Sequence, residues 1–451
     1  MNLTFYGGAN EIGGNKILLQ DKGAKIYLDF GESFDFGEDF FYEYLAPRTA
    51  NGLEVYFEFG LVPKIPKLYS KDMLKLTNLK YEKPDIDAIF ISHSHSDHVG
   101  HLPFVDEEIP IFIGHGTHKV IEAYHKLYPQ LFSIGEHNNI NLFKSGDKIK
   151  IKHLVIEPIH VEHSVPGAYG FIVQTSKGAI VYTGDLRMHG PMSEMTMEFI
   201  EKANKSNPIA LLCEGTRMSH ETEHNFTEKE VEERIDKIIK ESKGLVLGYF
   251  SMVNIDRFMS FYNAAVKNKR ILVIDTRLAY VIDNLKEKIK VLPDVRKDKN
   301  IRIYFRLSKS CTFSEKDYNI WEREYMDKMI TYKEIAKNPK NYVMHLGFYR
   351  LIELVYLRPK NADFIYSSSE HFYEGEENEE QRKVWENWMS HFKIKFHKAH
   401  CSGHASKQDI IEIVRKINPK LLIPIHTQNA EEFKKFHSNV KIPEKGVELN
   451  V

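Results

Sequence analysis

The chain has 451 residues, with 62 Lys+Arg against 63 Asp+Glu, a formal net charge of -1 and 42% hydrophobic residues. That composition is globular, and its balance excludes a chain that holds nucleic acid by bulk positive charge while leaving a local basic channel open. The length exceeds one ordinary core, so two domains or a domain with a large insertion are expected. Three cysteines, Cys213, Cys311 and Cys401, cannot make a disulfide framework and point to a reducing compartment. The opening MNLTFYGGANEIGG lacks a basic segment and a long apolar run, and no stretch of ~18 apolar residues occurs, so neither a signal peptide nor a membrane span is expected.

In chain order, the first ~200 residues are short apolar β-runs broken by turns: KIYLD (25–29), AIFIS (88–92), 111–113, 169–173 and 179–183. GGANEIGG (7–14) predicts a tight turn; no βαβ context supports a dinucleotide loop. Residues 35–60 hold eight aromatics and six acids. Aromatics can stack bases, but such a stretch more often caps a core. From about 208 the texture changes. LVLGYF (245–250) and ILVID (271–275) alternate with helical stretches such as Glu228 to Glu241, which predicts βαβ units and a parallel sheet. Residues 285–309 carry nine Lys/Arg and three acids, a candidate phosphate-facing edge or simply a solvated helix and loop. Residues 370–380 hold six acids and predict a solvated loop or a helix start. After about 365 the first texture returns, and LLIPIH (421–426) predicts a buried strand ending in a histidine.

Ser92-His93-Ser94-His95-Ser96-Asp97-His98 follows the strand AIFI. A strand end presents alternate residues to one side, so His93 and His95 point together. The turn after them returns Asp97 and His98. Four N or O donors in six residues suit two divalent ions of borderline hardness.

This segment resembles motif 2 of the metallo-β-lactamase fold, and further motifs follow in order. Asp29, closing IYLD, resembles the motif 1 Asp, which in that family orients the histidine loop. His163 in HSVPGAYGF resembles motif 3, ahead of its rivals His153 and His160, and Asp185 in YTGDLR resembles motif 4. Glu214 in LLCEGTR, His404 in CSGHAS and His426 in IPIHTQN resemble motifs A, B and C of the β-CASP group, and FSMVNIDRF (250–258) its helix-entry stretch. The chain is most similar to ribonuclease J and its shorter archaeal and bacterial relatives.

The resemblance implies an α/β architecture: a metallo-β-lactamase αββα sandwich interrupted by a β-CASP domain with a parallel sheet and flanking helices. The expected boundaries are 1–207 and 366–451 for the sandwich and 208–365 for the insertion. A further C-terminal domain is not expected, since the chain ends 25 residues after His426.

The resemblance also implies a metal-dependent ribonuclease. His93, His95 and His163 would hold one zinc, Asp97, His98 and His426 a second, and Asp185 would bridge them, with manganese as the alternative metal. A shared water made acidic by the ions would attack phosphorus. Asp97 would accept a proton, His404 would meet the scissile phosphate or protonate the leaving oxygen, and Glu214 would fix a histidine from behind. A His at motif C goes with RNA-processing members. Five-prime-to-three-prime exonuclease action with some internal cleavage is expected, and pure endonuclease action of the cleavage-factor type is the alternative. A small-molecule metallohydrolase is a less favoured alternative. The stretch YSSSEHFYEGEENEE (366–380) departs from the family's usual loop before motif B; its serines 367–369 are candidates for a 5′-phosphate contact. A cytoplasmic location and a homo-oligomer, dimer or tetramer, are expected. Cys401 is expected as a packed thiol. His115, His118, His397 and His400 are expected in capping, core or surface roles.

Overall fold

The computed structural model describes residues 1–34, 40–41, 45–128, 134, 137, 139–219, 226–369, 373, 375 and 378–451. The chain forms two compact units. The first comprises Met1–Met188, Met192–Glu223 and Gly403–Val451; the second comprises His189–Pro191 and His224–Ser402.

Two sheets make the first unit. One runs in the spatial order Glu448–Asn450, Asn2–Gly7, Lys16–Asp21, Ala24–Leu28, Ala88–Ile91, Ile111–Gly114 and Ile140–Phe143; the other runs Leu422–Ile425, Ala210–Glu214, Ala179–Tyr182, Tyr169–Gln174, Leu154–His160 and Ile149–Ile151. Strand side chains alternate between faces, and the pattern obeys that period. Leu3, Phe5, Ile17, Leu19, Ile26 and Leu28 from one sheet meet Ile156, Phe171, Val173, Ile180, Leu212 and Ile423 from the other. The alternate residues Leu18, Tyr27, Ile89 and Ile91 face an outer layer that includes Ile121, Leu102 and the segment around Tyr56 and Phe57. On the far side, Ile172, Val181 and Leu211 are covered by Phe199 and Ile200 and by Ile410, Ile413, Val414 and Ile417. The last four share one face of the helix Lys407–Ile417, which Ser406 and Asp409 cap reciprocally. The result is the expected αββα sandwich.

The second unit has one seven-stranded sheet in the order Met329–Ile330, Ile301–Tyr304, Ile271–Asp275, Tyr342–His345, Val246–Tyr249, Asp363–Tyr366 and Lys395–Lys398. Every neighbouring pair is parallel. The expected helix Glu228–Glu241 is present, with a Thr227–Glu230 capping box.

The units divide near 224 and 402, where the change of texture suggested 208 and 365. Pairing explains the difference. Ala210–Glu214 lies between Ala179–Tyr182 and Leu422–Ile425 and so completes the first unit's second sheet. Asp363–Tyr366 and Lys395–Lys398 extend the parallel sheet of the second unit. A buried strand has the same apolar text in either sheet.

Of the aromatic segment, 35–39 and 42–44 lie outside the described residues. Within the rest, Tyr56 and Phe57 on the short helix Glu54–Glu58 are buried in the core, the capping role.

Candidate metal centre

The site lies wholly in the first unit, where strand ends and the loops after them converge. Asp29 follows Ala24–Leu28 with φ at +59°, a left-handed conformation that Asp tolerates better than most residues. Its buried carboxylate accepts from Ser92 N (2.7 Å), Ser92 Oγ (2.7 Å), Tyr182 OH (2.5 Å) and His98 Nδ1 (2.7 Å). Asp29 therefore grips the histidine loop from behind and contributes to none of the three candidate metal-holding groups.

The first group is His93, His95, His163 and Asp185. His95 Nδ1 stands 3.0 Å from His93 Nε2 and 3.1 Å from His163 Nε2. Nitrogens held ~2.1 Å from one tetrahedral ion would stand ~3.4 Å apart, so little movement is needed. The second group is Asp97, His98, Asp185 and His426. Asp97 Oδ2 is 2.9 Å from His426 Nε2 and 3.4 Å from His98 Nε2. Asp185 Oδ2 belongs to both groups: it lies 3.6 Å from His93, 3.1 Å from His98, 3.6 Å from His426 and 4.0 Å from His163.

The outer partners select which ring nitrogen carries the lone pair. His163 Nδ1 donates to Gly403 O at 2.7 Å, His98 Nδ1 to Asp29, and His426 Nδ1 to Thr216 Oγ1 at 2.8 Å. The Thr216 hydroxyl can accept because its own proton goes to Glu214 Oε2, 2.8 Å away. In each ring the Nε2 lone pair is left facing the cluster, the arrangement that favours metal ligation.

The electrostatics agree. Burial holds His93 and His163 well below the ordinary imidazole range and His95 at about 4. Burial opposes charge on His98 too, but Asp185, Asp97 and Asp29 outweigh it and raise its pKa well above the usual value. Burial disfavours ionisation of Asp97 and Asp185, yet neighbouring imidazoles keep both well below the usual carboxylate range. His98 Nε2 and both Asp185 oxygens are buried without a hydrogen-bond partner by strict geometry among the described residues, and His98 Nε2 lies 3.1 Å from Asp185 Oδ2. Buried imidazoles, ionised carboxylates and partnerless buried nitrogen and oxygen atoms form a donor set that fits divalent cations of borderline hardness.

A third group, Glu214, His404 and His426, adjoins these. Glu214 Oε1 accepts from Leu186 N at 3.1 Å and lies 3.2 Å from His404 Nδ1. Burial disfavours a charged His404, but Glu214 and then Asp185 and Asp97 raise its pKa to about 9. With 21% of its side chain exposed, His404 is the cation at the open side of the cluster.

All ten residues singled out in the motifs are thus placed in one cluster or directly behind it. Thr216 and the carbonyl of Gly403 were not anticipated. A hydroxyl two residues after Glu214 was the one available signal; a backbone carbonyl leaves none. Outside the groups, His153 pairs with Asp21 (2.9 Å), and the backbone N of His160 donates to Ser145 Oγ. His118 lies 3.6 Å from Glu122, and His115 starts the helix His115–Leu127. Cys401 is buried and accepts from Arg257 Nη2 at 3.6 Å. His397 pairs with Asp363 (2.8 Å), and His400 Nδ1 lies 3.2 Å from Arg257 Nη1. Ser367 is buried, accepting from Arg257 Nη1 (2.6 Å) and donating to Ala399 O. Arg296, in the basic stretch, is paired with Asp283 and Glu324.

Residues 68–227 match the model of the beta-lactamase superfamily domain, and residues 391–443 match that of the Zn-dependent metallo-hydrolase RNA specificity domain. The chain has a metallo-β-lactamase fold and is similar to ribonuclease J proteins. The two matched segments hold every residue of the three groups. Among curated relatives, this chain is 24% identical to the ribonuclease J of Helicobacter pylori strain B128, over all of this chain and 59% of that protein. It is also 24% identical to the ribonuclease J of Methanocaldococcus jannaschii, over 94% of this chain and 91% of that one. It thus spans about three-fifths of the Helicobacter relative's length. A crystal structure of a protein of unknown function from Enterococcus faecalis V583 superposes with a TM-score of 0.78 at 22% identity, covering 99% of both chains. That likeness establishes a shared fold. Among the described residues no helix is long and apolar enough to cross a membrane.

Proposed function

We propose that this chain is a metal-dependent ribonuclease that hydrolyses RNA phosphodiester bonds. The observation that carries the reading is the pair of donor groups joined by Asp185, with the rings of His163, His98 and His426 each held at Nδ1 by an outer partner. His93, His95 and His163 would hold one ion and Asp97, His98 and His426 the other, with Asp185 available to both; zinc suits this donor set best and manganese next. When bound, the ions supply charge neutralisation at the phosphodiester and a water acidic enough to attack at neutral pH.

The chain's own residues do the rest. Asp29, Gly403 and Thr216 orient the ligand rings. Asp97 is held ionised and accepts a proton released during hydrolysis. In the metal-free protein Glu214, Asp185 and Asp97 raise the His404 pKa to about 9, and the partly exposed ring is aligned by Glu214 and Thr216. It meets the negative scissile phosphate and returns a proton to the leaving oxygen. The RNA specificity match over His404 and His426, together with the ribonuclease J relatives, supports RNA as substrate.

Relatives named ribonuclease J support exonuclease action from a 5′ end. One observation favours internal cleavage instead: the Ser367 hydroxyl, a candidate for a 5′-phosphate contact, is already engaged by Arg257 and Ala399. Three RNAs of one sequence, with a 5′-monophosphate, a 5′-triphosphate and no ends, separate the modes when incubated with zinc or manganese. Mononucleotides released chiefly from the monophosphate form support the exonuclease. A linearised circle and discrete fragments establish the endonuclease. In either mode, His404→Ala is expected to lower the rate about a hundredfold to ten-thousandfold while keeping its metal. Wild type that binds two ions and cleaves none of the three RNAs overturns the reading.

A further inference from the structure

Tyr182 adds a donor to the carboxylate that stands behind the second metal group. It closes the strand Ala179–Tyr182, is fully buried, and stacks on Phe171 with the ring centres 6.2 Å apart. Its hydroxyl donates to Asp29 Oδ2 at 2.5 Å. The same oxygen receives Ser92 Oγ and His98 Nδ1, each at 2.7 Å, while Oδ1 receives the Ser92 backbone N. Three donors thus share one oxygen. Asn15, also fully buried, fixes the direction of the phenol: its Nδ2 donates to Tyr182 OH at 2.9 Å, so the phenol's own proton is left for Asp29. The backbone N of Asn15 donates to the carbonyl of Asp97 at 3.0 Å, which ties this residue to the second metal group as well. Packing alone does not require the hydroxyl, since phenylalanine would fill the same space, and Asp29 has three donors without it.

A carboxylate behind a ligand histidine raises the basicity of the ring nitrogen that meets the ion. A donor that competes for the same carboxylate oxygen weakens its pull on the ring. We propose that Tyr182 is a positioning residue that moderates the Asp29–His98 hydrogen bond and, through it, the grip of the second donor group on its ion. The proposal deepens the reading above and rests on its two-ion part, whatever the substrate. A weaker ligand leaves more of the ion's charge for a substrate phosphate, at a cost in affinity. The direction of the effect separates this role from simple support. Removing an ordinary outer partner loosens a metal site. Removing a moderating hydroxyl tightens it.

The test strips the full chain of metal and reloads it with zinc. In Tyr182→Phe, chelator competition is expected to show one of the two ions held about threefold to tenfold more tightly than in wild type, with the other unchanged. In the zinc-loaded protein with isotope-labelled histidine, the His98 Nδ1 proton resonance is expected to move downfield, as a stronger hydrogen bond to Asp29 requires. Fluorotyrosine placed at position 182 is a stronger donor of nearly the same shape and is expected to shift both readouts the other way. Weaker binding of either ion in Tyr182→Phe marks the hydroxyl as an ordinary support and overturns the proposal. If Tyr182→Phe does not fold, the fluorotyrosine protein decides: binding equal to or tighter than wild type overturns it. Wild type that takes up two ions and a pair of replacements that alter neither readout sink this proposal alone. Wild type that takes up fewer than two ions sinks the two-ion reading and this proposal with it.

Discussion

Both units bury charge, and they treat it in opposite ways. In the second unit the fully buried Arg257 guanidinium meets Glu228 at 3.2 Å, the backbone O and Oγ of Ser367 at 2.8 and 2.6 Å, and Ala399 O at 3.4 Å. Donors face acceptors, and the network is complete within the protein. In the first unit, candidate ligand atoms crowd one another: His95 Nδ1 against His93 and His163 Nε2, and His426 Nε2 against Asp97 beside Asp185. A buried polar cluster that satisfies itself stabilises a fold or fixes its geometry. One whose acceptors converge makes physical sense only with a guest that accepts electron pairs.

Removing the shared carboxylate should break the first arrangement outright. Asp185→Ala is expected to reduce bound metal from two ions toward none, by elemental analysis, and to lower the rate about 10⁴-fold or more. Its thermal unfolding should change little in metal-free buffer.

The second arrangement should fail differently. Arg257→Met leaves Glu228 buried without its guanidinium partner and is expected to cost about 3–5 kcal/mol in urea unfolding of the metal-loaded protein. Metal content should stay at the wild-type value. Loss of both ions in that variant would erase the distinction between the two networks.

A subtler substitution sharpens the comparison. Thr216→Val removes the hydroxyl that accepts from His426 and donates to Glu214. Metal affinity by chelator competition, or the rate, should fall about tenfold to a hundredfold, and Thr216→Ser should restore it.

The smallest effect concerns a self-satisfied charge in the first unit. Burial raises the Asp21 pKa, but Ser176 N at 2.7 Å, His153 at 2.9 Å and Ser176 Oγ at 2.8 Å hold it down to about 2. A depressed carboxylate pKa contributes stability above the unfolded value near 4, and that contribution fades as pH falls toward 2. It amounts to about 2 kcal/mol. Stability measured from pH 5 to pH 3 should therefore fall less steeply in Asp21→Asn than in wild type.

The sequence displayed the donors and concealed their supports. His93, His95, Asp97 and His98 stand out because four ligand types crowd six positions after an apolar run. The strands 88–91, 246–249 and 271–275 stand out because apolar β-branched runs end in turn residues. Thr216 and the Gly403 carbonyl are ordinary groups, made functional by a fold that joins residues 188 and 240 positions apart, in the pairs Thr216–His404 and His163–Gly403. The unit boundaries were displaced for a similar reason. The strand Ala210–Glu214 is equally apolar in either sheet, and only its partners, Ala179–Tyr182 and Leu422–Ile425, decide which one it joins.

The split of the first unit around the second has a consequence for biosynthesis. The second unit is nearly continuous, from His224 to Ser402. A ribosome that has delivered those residues has supplied it whole, while the first unit still lacks the strand Leu422–Ile425 beside Ala210–Glu214 and the strand Glu448–Asn450 beside Asn2–Gly7. It also lacks the Gly403 carbonyl, His404 and His426. The candidate metal groups are therefore incomplete in the nascent chain until translation has passed His426. The inner unit can complete its folding before the outer one closes.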